Sequence, residues 1–347
     1  MSAVQVEVTR GGVVESVHRV DVAVMKGEAL VARAGSSDRV MFARSAVKPF
    51  QALPLVDDGV IARFGLGPEH LALACASHSG EPRHVEVARS TLDAIGLPES
   101  ALACGPHPPF DDRAAARLRA EGQDPGRIHN NCSGKHAGML ALVVAHGWPA
   151  EGYHRPEHPV QQRMLDEIER WTGIDRRAIA TGVDGCGVVT FAFPLQGLAR
   201  AFARLVAAAG AGEPGPKAVV GAMATHPHLM AGTDRLGTRL AEVTGGRVLA
   251  KVGAEGVYGA ATVDGGLGIA LKARDGAKRA GEVALLGVLE ELGVLEPDEL
   301  GALERWARPE VRNTRDEEVG ELRALAELET EPERERGTDT DVETRHG

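Results

Sequence analysis

The chain has 347 residues, a formal net charge of −10, and 43% hydrophobic but only 3% aromatic residues. That length suits two domains or one large one, with a core built mainly from Ala, Val and Leu. The acidic balance argues against a nucleic-acid partner, whose phosphates need clustered Lys and Arg.

The start, MSAVQVEVTRGG, has no apolar signal-peptide core. No run approaches the roughly 18 apolar residues of a membrane helix. Four cysteines in a chain this long do not suggest a disulfide framework. The expectation is a cytoplasmic protein with reduced thiols.

In chain order, residues 3–34 alternate in short β-like runs, Val4–Val8, Val20–Val24 and Ala29–Ala32, punctuated by Gly and charge. From about residue 46 the pattern turns helical, over 46–57, 82–95, 111–121, 133–146, 158–171, 196–209 and 232–243. Apolar β-like runs return at 248–263 and 267–273, and helices follow near 280–306. Strands, a helical middle and strands again predict one antiparallel sheet assembled from both chain ends and flanked by helices, an α/β (α+β) fold. Residues 1–327 read as one catalytic domain. The stretch 328–347 has almost no apolar residues and is expected to be disordered.

Four segments carry chemistry. Arg44-Ser45-Ala46-Val47-Lys48-Pro49-Phe50 holds an S-x-x-K spacing, which on a helix puts Ser45 and Lys48 on one face. A neutral lysine there can take the serine proton, making the hydroxyl a nucleophile. The bland alternative is a helix-start serine and a surface lysine. Lys251-Val252-Gly253, in a β-like run, is a candidate for the later element of such a site. Cys75-Ala76-Ser77-His78-Ser79-Gly80-Glu81 follows the apolar run Leu71–Ala74, read here as a strand delivering a loop, and it also suits an ordinary helix N-cap. His129-Asn130-Asn131-Cys132-Ser133-Gly134-Lys135-His136 is the densest polar stretch. It feeds an apolar helix, and such donors are costly to bury unless used. Gly182-Val183-Asp184-Gly185-Cys186-Gly187 offers an aspartate among glycines, suited to a ligand ammonium or to a plain β-turn. With no C-x-x-C, spacing alone defines no metal site, and Thr225-His226-Pro227-His228 is too sparse for one.

The ordered motifs S-A-V-K-P-F-Q, C-A-S-H-S-G-E, H-N-N-C-S-G-K-H, G-x-D-G-C-G and K-x-G-A-E-G resemble the asparaginase II family typified by the inducible rhizobial L-asparaginase. The resemblance spans roughly residues 5–325. It implies a fold similar to serine β-lactamases and glutaminases, a homodimer, and hydrolysis of L-asparagine to L-aspartate and ammonia. By that resemblance Ser45 and Lys48 form one catalytic Ser–Lys pair, with Ser45 as nucleophile, and Ser77 and Lys251 form a second. Cys132, Lys135 and Cys186 form a zinc site. Arg44, His129 and Asn131 surround the pocket, and Asp184 and Arg44 are expected to grip the substrate's amino and carboxylate ends. Zinc bound by two thiolates and a neutral lysine would keep a fourth position for water. Two other enzymes use the same residues: another acyl-enzyme hydrolase of this fold, such as a glutaminase or β-lactamase, and a zinc-dependent amidohydrolase. A non-enzymatic amino-acid sensor would leave the serines and lysines without a task.

Overall fold

The computed structural model describes residues 2–330. Twelve strands are found among them: β1 Val4–Arg10, β2 Val13–Lys26, β3 Ala29–Ala34, β4 Val40–Phe42, β5 Ala180–Val183, β6 Val189–Pro194, β7 Val248–Gly253, β8 Val257–Thr262, β9 Leu267–Ala273, β10 Glu310–Arg312, β11 Glu318–Leu325 and β12 Glu329–Thr330. The main sheet runs β10-β11-β1-β2-β9-β8-β7, with antiparallel pairing throughout. The strand β2 is long enough to serve two neighbours on one edge. Its first half pairs with β1, and its second half pairs with β3. Strands from both chain ends thus build one sheet, as the sequence pattern implied.

The alternation in β2 explains why both faces are covered. Ala23 and Met25 join one core, with Val257, Ala261 and Ala270, beneath the helix Leu195–Gly210. Val20, Val22 and Val24 join a second core, with Ile269, Leu271, Val283 and Leu286, beneath the helix Lys278–Glu291. With so few aromatics, close approach replaces bulk. A β-carbon on Gly268 would lie 2.0 Å from the Ala199 carbonyl oxygen, so only glycine lets this helix sit against β9.

Most expected helices appear within a residue or two, at Pro82–Ala94, Asp112–Ala120, Ser133–His146, Pro159–Thr172 and Leu195–Gly210. Several expectations need correction. The span 46–57 is a 3₁₀ turn, Arg44–Val47, then two short helices, Lys48–Ala52 and Pro54–Asp57. Pro49 and Pro54 each sit in a first helical turn, where a missing N–H costs nothing. The run at 71–74 is not a strand but the end of a helix, Pro68–Ala74. Its Leu and Ala residues are strong helix formers, and a short apolar run buried on every side has no period to reveal its type. The helix Pro214–Thr225, the small antiparallel sheet β4-β6-β5, and strands β10 and β11 were not foreseen. Of the hydrophilic end, Glu329 and Thr330 pair with Arg33 and Ala32 of β3. The remaining residues, 331–347, lie outside the described residues. No helix among the described residues is long and apolar enough to cross a membrane.

Candidate active site

The site forms where β7 meets the loops that follow β4 and the helix Pro68–Ala74. The chain leaves β4 through Ala43, whose N–H is held by the Phe191 carbonyl at 2.9 Å. Arg44 then takes φ +50°, a left-handed conformation uncommon for a residue with a side chain, and the tight turn Arg44–Val47 begins. Lys48 follows and is buried, with 1% exposure. A buried amine must find acceptors. Lys48 Nζ donates to the Ala76 carbonyl at 2.6 Å, to Ser77 Oγ at 3.1 Å and to Cys132 Sγ at 3.1 Å. It does not bond Ser45. The expected Ser45–Lys48 hydrogen bond is absent because the amine is drawn inward to these three acceptors. Ser45 is half-buried, and its hydroxyl has no hydrogen-bond partner among the described residues.

Ser77 is the hydroxyl that the lysines share. Its backbone N–H is fixed by the Met230 carbonyl at 3.2 Å. Lys251, from β7, places Nζ 2.7 Å from Ser77 Oγ and 2.8 Å from the Val252 carbonyl. Burial, reinforced by the Lys48 charge, holds the Lys251 amine well below the usual lysine range. These contacts fit a division of roles between the two amines. Lys48 has three acceptors, matching three N–H bonds. A neutral Lys251 keeps a lone pair, which can accept the Ser77 proton while an N–H serves Val252.

A sulfur cluster adjoins this network. Cys132 caps the helix Ser133–His146, and its backbone N–H is held by Asn130 Oδ1 at 2.9 Å. Lys135, three residues on, turns to the same side and donates to Cys186 Sγ at 3.0 Å. Cys186 lies in the loop between β5 and β6, where Gly187 takes φ +89°. The two cysteines are pulled in opposite directions. Donation from Cys132 brings the Cys186 thiol down to about 5 despite burial, with the Lys135 charge assisting. The same hydrogen bond to Cys186, with burial, pushes the Cys132 thiol up to about 12. Burial opposes charge on Lys135, but the adjacent Cys186 sulfur, ahead of the other raising contacts, holds its amine above the usual range.

Asp184 begins the same loop, and its Oδ1 accepts from Arg44 Nε at 2.6 Å. Burial favours the neutral acid, but Lys135 and Arg44 outweigh it and hold the carboxyl below its usual range. Arg44 is therefore already engaged by Asp184. The remaining two sequence candidates contribute less directly. Asn131 offers its carbonyl to the His78 N–H at 3.2 Å. His129 turns back on its own segment, where Nδ1 accepts from the Gly126 N–H at 2.9 Å.

Three neighbours were not singled out from the sequence. Asn130 also bonds the Gly105 carbonyl at 3.0 Å, anchoring the turn before Cys132. His78 ties the Ser77 loop to the helix Ser133–His146 through Ser133 Oγ at 2.9 Å. Arg235 reaches Ser79 Oγ at 3.3 Å. The first two lay inside motifs already noted, whereas Arg235 carried no local signal.

The family model for L-asparaginase II matches residues 6–324. The chain belongs to the L-asparaginase II family. A search of the curated proteins gives no match. Among solved structures, Mglu in its native form in 4.3 M NaCl is similar at 17% identity, with a TM-score of 0.36. That match covers 81% of this chain and 63% of Mglu. A protein from Bacteroides dorei DSM 17855 described as a beta-lactamase is similar at 14% identity with a TM-score of 0.40, covering 73% of this chain and 84% of that one. This chain thus spans less than two thirds of the length of Mglu.

The family resemblance also implies zinc, and the donors suit it. Two thiols and an amine that donates to one of them are a donor set that a dication can hold by displacing their protons. A second cluster is less suitable. Ligand atoms of Glu81, His84 and His228 lie within 4.8 Å of one another. Both His84 ring nitrogens are already used, Nδ1 by the Glu81 N–H at 3.1 Å and Nε2 by the His228 carbonyl at 3.0 Å. The Glu81 carboxylate is held by Thr233 and His228. This cluster reads as a joint between the helix Pro82–Ala94 and the 226–233 segment.

Proposed function

We propose that this family member hydrolyses L-asparagine to L-aspartate and ammonia through an acyl-enzyme on serine. The observation that carries the reading is the Lys251–Ser77–Lys48 network, with an amine of depressed basicity 2.7 Å from a buried hydroxyl. Ser77 Oγ attacks the side-chain amide carbonyl as its proton passes to Lys251 Nζ. Lys48 Nζ, already donating to Ser77 Oγ, stabilises the oxygen as charge develops. The proton on Lys251 then goes to the departing ammonia. Water attacks the acyl-enzyme by the same route and releases aspartate. Asp184, held ionised, suits the substrate's ammonium group.

A second reading keeps the same lysines but gives the attack to Ser45, as the motif order implies. One observation favours it: the Ser45 hydroxyl is half-buried and unengaged, whereas Ser77 is 5% exposed. Zinc, held by Cys132, Lys135 and Cys186, would supply positive charge and rigidity beside Asp184. Cytoplasmic location and a homodimer complete the proposal, resting on the family resemblance.

Ammonia release from asparagine and glutamine by wild type, Ser77→Ala and Ser45→Ala tests the reading. Wild type should prefer asparagine, and Ser77→Ala should lose about 10²–10⁴-fold in kcat/KM. Nitrocefin turnover in place of ammonia release would move the assignment to a β-lactamase activity.

A further inference from the structure

We propose that Arg235 is the group that binds the substrate's α-carboxylate, a role that rests on the amidohydrolase reading above. Many of the arginines near the site are already paired. Arg44 Nε is bonded to Asp184 Oδ1 at 2.6 Å. Arg305 is bonded to Asp234 at 2.9 Å, and Arg239 lies 3.6 Å from Glu242. Arg235 is half-buried and has no carboxylate within ion-pair distance among the described residues. Its one hydrogen bond goes to a neutral hydroxyl, Ser79 Oγ, at 3.3 Å.

Its position is fixed relative to the reacting network. Ser79 lies two residues after Ser77 and is held by the Ala231 carbonyl at 2.9 Å. Arg235 and Lys251 line the same small cavity, together with Val252 and Tyr258. A half-buried guanidinium without a counter-ion is costly and is stabilised by an anionic ligand. An amino acid has one anion to offer once its side chain is an amide, and that is its α-carboxylate. Asp184 and Arg235 then divide the two ends of the substrate. The cation sits with the carboxylate of one loop, and the anion sits with the guanidinium of the other. The planar fork of arginine matches a carboxylate in a way that lysine does not.

Binding measured by calorimetry tests this apart from turnover, using L-aspartate and its α-amide, L-isoasparagine. Wild type should bind aspartate more tightly than the α-amide. Arg235→Met should weaken aspartate about 10–100-fold and leave the α-amide within about 3-fold. Arg235→Lys, which keeps the charge and guards against a folding defect, should restore part of the loss. Equal affinity of wild type for the two ligands, or equal weakening of both by either variant, would overturn the assignment. Failure of wild type to release ammonia from asparagine, with the binding difference intact, would sink the proposed activity and leave the carboxylate site standing.

Discussion

Replacing Lys251 by Met separates chemistry from stability. The amine is 1% exposed, so the native fold bears its desolvation, and its neighbour Lys48 adds repulsion whenever Lys251 is charged. Met has nearly the same length and no such penalty. Against that, two hydrogen bonds are lost, to the Val252 carbonyl at 2.8 Å and to Ser77 Oγ at 2.7 Å, each worth about 1 kcal/mol. Ser77 Oγ keeps Lys48 at 3.1 Å. Stability should therefore change by no more than about 2 kcal/mol, while kcat/KM for asparagine falls about 10²–10⁴-fold through loss of the proton acceptor. Urea denaturation and ammonia release measure the two quantities on one preparation. The pH profile supplies the sign. The working form is the neutral amine, so kcat/KM rises as pH rises through the Lys251 value, which lies below the ordinary 10.5. In Lys251→Met that limb should disappear. Retention of activity within about 3-fold, or a loss matched by unfolding, would refute the reasoning.

Three further outcomes follow from named contacts. Gly268→Ala puts a β-carbon 2.0 Å from the Ala199 carbonyl oxygen and 2.3 Å from the Ala203 nitrogen, both backbone atoms that cannot swing away. A loss of at least about 1–3 kcal/mol is expected by urea denaturation. Asp21 is fully buried and bonded by Arg39 and Arg274, and these contacts outweigh burial and depress its carboxyl. Asp21→Asn should cost about 1.5–3 kcal/mol at neutral pH. Because the folded value lies below the unfolded one, that contribution is full above the unfolded value and fades as pH falls through the folded one, so variant and wild type should converge in acid. Purified wild type should carry about one zinc per chain by elemental analysis, and Cys186→Ser should carry little, since one of two sulfur donors is gone.

The sheet was legible because β2 and β9 alternate apolar residues on both faces, and because long amphipathic helices such as Pro159–Thr172 carry a clear period. The Pro68–Ala74 helix was not, since Leu71, Ala72, Leu73 and Ala74 are all buried and leave no polar side to set the phase. The site was legible as a set of motifs. The Lys135–Cys186 and Lys251–Ser77 contacts join residues that those motifs had named. The wiring inside the set was not. S-x-x-K spacing suggested that Lys48 serves Ser45, but a buried amine bonds whatever acceptors surround it, and Ala76, Ser77 and Cys132 come from two other segments. Arg235 stayed hidden for the same reason, because its meaning lies in which arginines the fold leaves unpaired.

Covalent trapping identifies which hydroxyl attacks the amide. The protein is incubated with 5-diazo-4-oxo-L-norvaline, an electrophilic asparagine analogue, then digested and mapped by mass spectrometry. One adduct per chain is expected, on Ser77, with much slower labelling in Lys251→Met. An adduct on Ser45 would transfer the attack to the other serine. Ammonia release from asparagine with no serine adduct would contradict the acyl-enzyme mechanism itself.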